Sequence, residues 1–479
     1  MPTTLTEPFI ARHDLWTAEQ HAAAEDVLAQ LDSLEQIRIG WGDQHGIVRG
    51  KALTPRELAR SLREGKDFQT ATLIMDTANV PSVPPFGHAG FGVEAMTGLP
   101  DAVLVPDPTT FRVLPWAERT GWMLADLHFR SGEPVPFCTR GVLRRQLTRL
   151  AELGYGYRCG VEMEFYVTRL LDPHLAPAAA GYPPDPPTVE VLAHGYQYLT
   201  DNRLDEADAI LRILQRTCEA LGLPLCTIED EWGPGQCEFT FSPMDGAAAA
   251  DAVLLFRSAV KQVCRRHGYH ATFMARPALE NFFSSGWHLH QSLVDLQSGD
   301  NAFASEDAAL SPTARAFLGG LLEHARAASV FTTPTINGYK RFRPDSFAPD
   351  KVAWAFENRG AMIRVCGQAG DDSTHLENRA GEPAANPYLY LASQIASGLD
   401  GLERQLDCGE PVSMAYTAQR PALPTSLMQA TEALRADPLF ARAFGQPFID
   451  YLLTVKASEI SRFLATVTDW EQREYFEVY

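Results

Sequence analysis

Gly160-Val-Glu-Met-Glu-Phe-Tyr-Val167 alternates and is rich in β-branched and aromatic residues, which marks a strand. Residues two apart on a strand point the same way. Glu162 and Glu164 therefore share one face, and Val161, Met163 and Phe165 share the other. Two carboxylates side by side repel each other, and each is costly to bury alone. A positive charge belongs between them. Salt bridges could supply it, and so could a divalent metal, which needs further ligands elsewhere in the chain.

The flanking sequence shows how large a frame this strand sits in. The 479 residues suffice for two or more domains and a large core. A formal net charge of -19 argues against non-specific binding to nucleic acid or to an anionic membrane surface. The eight cysteines are scattered without a C-x-x-C pair, as in a reducing interior with free thiols. Met1–Pro8 has neither a basic nor an apolar leader region, and no apolar run approaches a membrane span. The expectation is a cytoplasmic protein.

N-terminal to the strand, residues 14–34 read as an amphipathic helix and Ile37–Asp43 as a strand. Gln44–Gly46 turns into a hairpin partner at Val48–Leu53. Thr54 caps a helix that begins at Pro55. Residues 66–76 read as a strand, and the Gly/Pro-rich 81–100 as a surface loop. Strands at 103–105 and 121–126 complete a small mixed sheet, and Pro134–Pro136 is the expected linker. A helix at 140–153 leads into the strand. After it come a Pro/Ala-rich loop at 171–189 and a helix at 203–221. A strand–turn–strand at 225–241, a helix at 247–267, and strands at 271–274 and 286–293 follow. Helices are expected at 312–330, 387–407 and 427–463, the first capped by Ser311. The fold class is α+β: a small N-terminal domain, residues 14–132, and a large catalytic domain, residues 133–479, whose antiparallel strands carry the acids.

Four further stretches supply what Glu162 and Glu164 lack. In Glu231-Trp-Gly-Pro-Gly-Gln-Cys-Glu238 two acids bracket a turn, so strands on either side let them converge. In Trp287-His-Leu-His-Gln-Ser292 the histidines are two apart, so His288 and His290 share a face. Arg359 and Arg364 flank an apolar run in Glu357–Arg364, and Glu377 and Arg379 alternate in His375–Arg379. Taken singly, each has a plain reading as a solvated charge, an ion-pair partner or a half-buried histidine. Together, glutamates in excess over imidazole point to Mg²⁺ or Mn²⁺. Two such ions with several arginines point to phosphoryl transfer. No Walker loop or kinase catalytic loop is present.

The set resembles the glutamine synthetase superfamily, and in detail its γ-glutamyl-amine ligases. The likeness also covers Gly42–Gly46, Arg49–Lys51, Val105–Pro108, Leu114–Trp116, Tyr339–Arg341, Ala384–Tyr388 and Asp469–Glu471. It implies a β-grasp-like N-terminal domain and a catalytic domain with a curved antiparallel sheet. It implies that Glu164, Glu231 and Glu238 hold one metal and that Glu162, His288 and Glu377 hold the other. Arg359 and Arg364 would contact the transferring phosphate and the nucleotide, with His290 and Ser292 also on the nucleotide. Arg341 and Arg379 would hold the glutamate carboxylates. ATP and at least two Mg²⁺ or Mn²⁺ are the implied cofactors. The implied assembly is a homo-oligomeric double ring, a dodecamer.

The chain departs from the ammonia-using members at the amine. Their Gly-Tyr-Glu-Ala-Pro loop reads Asp345-Ser-Phe-Ala-Pro349 here, with Phe347 in the acid's place. The ammonium-binding Asp-Gly-Ser-Ser stretch is missing, and Asp76 is the nearest acid. Ammonium needs a carboxylate both to bind it and to deprotonate it, whereas an apolar ring suits an aromatic amine. Phe347 is thus expected to contact a bulky, aromatic amine; a role in loop packing is the other reading. Phe283-Ser284 replaces an Asn-Gly pair that contacts glutamate, and His375 replaces an arginine near ATP. The rivals are ammonia, alkylamine and polyamine ligases, and a catalytically silent relative. The silent relative should have lost metal ligands, yet all six matching positions are kept.

Overall fold

The computed structural model describes residues 7–86, 91–343 and 345–479. Six strands form the first sheet: Gln36–Gly42 (β1), Val48–Leu53 (β2), Lys66–Gln69 (β3), Asp101–Pro106 (β4), Arg112–Val113 (β5) and Thr120–His128 (β6). Its order is β2-β1-β6-β4-β3, with β5 on β6. β1 runs antiparallel to β2 and parallel to β6.

The second sheet has nine strands. They are Tyr155–Asp172 (β7), Thr188–Val191 (β8), Leu225–Asp230 (β9), Gln236–Asp245 (β10), Tyr269–Thr272 (β11), Trp287–Asp295 (β12), Trp354–Phe356 (β13), Ile363–Cys366 (β14) and His375–Asn378 (β15). The order β13-β14-β15-β12-β7-β10-β9 puts β7 near the centre, with β8 and β11 pairing along its far end. The expected alternation on β7 holds: Val161, Met163 and Phe165 are buried, and Glu162 and Glu164 are half-buried on the opposite face. Helices Gly246–Arg266 and Pro387–Arg404 cover the apolar face. One hydrophobic core, from Phe9 to Val455, joins both sheets.

Local signals placed most boundaries. Thr54 accepts from the Glu57 amide and Ser311 from that of Ala314, as expected of caps. Five readings need correction. The strand expected over 66–76 ends at Gln69, because Thr70 donates its backbone N–H and its hydroxyl to the Pro100 carbonyl and the chain coils through Ile74. The 81–100 loop is not wholly superficial, since Met96 is fully buried; residues 87–90 of that loop lie outside the described residues. The 134–136 linker is part of the core, with Val135 and the adjacent Phe137 fully buried. The helix over 312–330 breaks at His324, whose ring is held between Asp400 and Asp437.

The long 427–463 helix is likewise three pieces, Leu427–Ala436, Pro438–Phe444 and Gln446–Leu464. Pro438 disfavours helical backbone at Asp437, and Gly445 takes a φ of 97°. No described helix is long and apolar enough to cross a membrane.

Candidate active site

Strand register gathers the acids. Glu238 on β10 lies opposite Glu164 on β7. His288 on β12 lies opposite Glu162. On the other side of β12, His290 faces Glu377 on β15, and Glu377 faces Arg364 on β14. Five strands thus lay Glu238, Glu164, Glu162, His288, His290, Glu377 and Arg364 in one band across the polar face of the sheet. Glu231 joins them because the β9–β10 turn folds back, its amide donating to the Gln236 carbonyl at 3.0 Å.

Among the described residues, ligand atoms close enough to share one ion fall into two groups: Glu162, Glu238 and His288, and Glu162, His290 and Glu377. Glu162 is common to both. It bonds His288 Nδ1 and, through Oε2, His290 Nε2 at 3.1 Å. Glu164 stands beside them, with Oε1 3.9 Å from His288 Nε2. Its other oxygen accepts from Gln236 Nε2 at 3.1 Å and from the Gly286 amide at 3.0 Å. Glu377 is fully buried, between Arg379, which meets Oε1, and Arg364 Nη1, 3.1 Å from Oε2. Arg364 also grips Glu357.

The remaining expected residues lie around this band. Arg341 is buried and donates to the carbonyls of Ala380, Gly381 and Arg379. Arg359 is exposed, and its carbonyl accepts from Arg379 Nε at 3.0 Å. Ser292 follows His290 on the same face of β12, opposite Arg158. Phe347 projects from its loop with 59% of its surface exposed. His375 Nε2 lies 3.0 Å from His290 Nδ1. The place of His290 beside Glu162 and Glu377 was missed as a ligand position. Its two-residue spacing from His288 was the available signal.

Electrostatics shows what this band lacks. Burial, then the charges of Glu162 and Glu164, push the Glu238 carboxyl up to about 10. Burial and Glu164 push Glu231 up to about 8, and burial raises Glu164 against the pull of His288 and Arg341. Glu162 goes the other way: burial opposes its charge, but His288 beside it holds it well below the usual range. Glu377 is held low against burial by His288 and Arg379. Arg364 and Arg379 serve the Glu377 end. The Glu164, Glu231 and Glu238 end is short of positive charge. An oxygen-rich donor set with imidazole, short of cations, fits a hard divalent metal.

This crowding has a testable consequence. A Glu238 carboxyl raised from the ordinary 4.5 to about 10 holds a proton in the folded chain that the unfolded chain has released. Its contribution to stability is present below 4.5 and is lost as pH rises towards 10. In chelator, the melting temperature of Glu238→Gln should therefore gain on that of the wild type steadily from pH 5 to pH 9. Added Mg²⁺ or Mn²⁺ should reverse the order by binding the folded wild type. A gap that does not change with pH would show that the carboxyls do not crowd.

Comparison with known proteins agrees with this geometry. The family model "Glutamine synthetase, catalytic domain" matches residues 136–475. A gamma-glutamylanilide synthase from Acinetobacter sp is 48% identical, over 98% of this chain and 99% of its own. A gamma-glutamylethanolamide synthetase from Streptomyces coelicolor is 33% identical over 94% of each. A glutamate–isopropylamine ligase from Pseudomonas sp is 31% identical over 93% of this chain and 96% of its own. Among solved structures, a GmaS/ADP complex superposes with a TM-score of 0.79 at 28% identity, covering 95% of this chain and 99% of that one.

Proposed function

The chain belongs to the glutamine synthetase family and is an ATP-dependent ligase joining glutamate to an amine; we propose that this amine is aromatic. The observation that carries the proposal is Phe347. The ring stands at the loop position where the ammonia-using members carry an acid, and it is exposed rather than part of the buried core. Asp76, the other acid in question, is fully buried and already engaged. It accepts from the Ala78 and Val80 amides at 2.9 and 3.0 Å, from Ser458 at 3.2 Å and from Arg462 at 2.7 Å. An arylamine is largely neutral at pH 7, so it needs neither acid.

In the reaction, a γ-carboxylate oxygen of glutamate attacks the γ-phosphorus of ATP and ADP leaves. The amine nitrogen then attacks the γ-carbonyl carbon of the resulting γ-glutamyl phosphate, phosphate departs, and the nitrogen loses a proton. We assign Arg359 and Arg364 to the charge on the transferring phosphoryl group. Arg341 and Arg379 are assigned to the glutamate carboxylates, and His290 and Ser292 to the nucleotide. Glu162, Glu164, Glu231, Glu238, His288 and Glu377 would hold the divalent ions, Mg²⁺ or Mn²⁺, with His290 adjoining. Such ions, when bound, neutralise the phosphate oxygens. Residues 14–132 are read as the N-terminal domain and 133–479 as the catalytic one. A homo-oligomeric ring is supported by exposed Leu464, Val467, Trp470, Phe476 and Val478 near the C-terminus. A reducing, cytoplasmic setting is supported by the eight free thiols.

The test is phosphate release from ATP with glutamate and a panel of aniline, isopropylamine, ethanolamine and ammonium. Aniline should drive turnover and ammonium should do little; equal rates would end the aromatic reading. Phe347→Glu should raise kcat/KM for ammonium by roughly a hundredfold, the lower end of what a placed general base contributes. Because the ring is exposed, expression should be unaffected. A variant that only expresses poorly would show Phe347 to be a packing residue.

A further inference from the structure

Next to Glu231 stands a pair of aromatic rings that the assignments above leave unused. Trp232 follows Glu231 in the turn, and its amide lies 3.3 Å from Glu231 Oε2. The indole is 48% exposed and lies flat on Tyr198, itself 39% exposed, with ring centroids 4.8 Å apart and planes 7° from parallel. Neither ring belongs to the buried hydrophobic core. Two large rings stacked in the open are not explained by burial. Side chains with an apolar body and one polar tip are characteristic of recognition surfaces.

The pair is fixed from behind. Gly195, on the Tyr198 loop, presses on the turn so closely that a Cβ there would lie 2.3 Å from Pro234 N. Gly233, in the turn, rests on Tyr166, where a Cβ would lie 1.9 Å from the hydroxyl. Tyr166 is anchored in turn, its hydroxyl accepting from the Phe283 amide at 2.7 Å. In front, the Tyr198 phenol lies within the fields of Glu231, Glu238 and Arg359, so the rings border the acidic band.

We infer that Trp232, stacked on Tyr198, is the specificity-determining wall of the amine site, against which the ring of an arylamine lies flat with its nitrogen towards the acidic band. This rests on the aromatic-amine reading above and deepens it. The wall gives a planar ring broad apolar contact and gives a small branched amine little. It needs no charge on the amine. It is also rigid before substrate arrives, so little ordering cost attaches to binding.

The test uses the full-length enzyme with Mg²⁺, ATP and glutamate. Trp232→Leu should raise KM for aniline by roughly tenfold or more. KM for ATP, KM for glutamate and kcat/KM for isopropylamine should stay within about twofold, a margin well below the tenfold expected of one aromatic contact. Trp232→Phe should recover most of the loss. Tyr198→Leu removes the backing ring from a different loop and should shift aniline in the same direction, which keeps the test open if one variant fails to fold. An unchanged KM for aniline overturns the proposal. Equal losses for aniline and isopropylamine overturn it too, as they would mark a contact made with any amine rather than with an aromatic ring. A rise in KM for ATP instead would make the pair a nucleobase seat. If the wild type prefers aniline and the variants keep that preference, the wall alone is wrong. If the wild type does not use aniline, both readings fall.

Discussion

Changing Glu162 to glutamine should lower the rate of γ-glutamyl amide formation by on the order of 10³-fold, as expected when charge stabilisation of the transferring group is lost, while the chain keeps its native fold. Glu162 is the one carboxylate shared by both candidate ligand groups. It is also the acceptor for both His288 and His290. Glutamine keeps the shape but offers one neutral oxygen in place of a charged pair, and hard cations discriminate strongly against that exchange. The side chain is part-exposed on the polar face of the sheet, so the isosteric change leaves core packing alone. Phosphate release with the preferred amine, beside circular dichroism and a melting curve, checks both halves. Activity within tenfold of wild type would mean that Glu162 binds no ion needed for turnover.

Changing Glu377 to glutamine should differ by costing stability as well as activity. Glu377 is fully buried with Arg379 on one oxygen and Arg364 on the other. Removing its charge leaves the buried Arg379 without its carboxylate, and leaves Arg364 with Glu357 alone. Breaking a buried ion pair from one side costs about 3 kcal/mol. That should appear as a fall of several degrees in the melting temperature, together with loss of turnover. The two variants separate the roles: Glu162 joins the two candidate ligand groups through the histidines, and Glu377 ties Arg364 of β14 to Arg379 beyond β15. An unchanged melting temperature for Glu377→Gln would show that the arginines find other partners and that this end of the band is not a closed network.

Much of this was legible because strand periodicity is a strong constraint. Glu162 with Glu164, and His288 with His290, could be put on common faces from spacing alone, and the Glu231–Glu238 turn was readable from its Gly and Pro. Which strand lies beside which is not written in any one segment. The sharing of Glu162 between two groups, and the pairing of His290 with Glu377 rather than with nucleotide alone, follow from the register of β12 between β7 and β15. Arg341 read as a carboxylate binder. Its partners are backbone carbonyls some forty residues away, which no side-chain pattern announces. The break at His324 escaped for the same reason, since Asp400 and Asp437 hold its ring. Pro438 and Gly445 could have been read, but the apolar periodicity running through them masked two true stops.

The most direct measurement is anomalous diffraction from crystals of the protein soaked with Mn²⁺. Peaks are expected in the band between β10 and β15, with Glu162 within coordination distance of two of them and Glu238, His288 and Glu377 on the outer sides. Occupied Mn²⁺ sites elsewhere on the surface, with none beside Glu162, would contradict the arrangement and the ligase chemistry built on it.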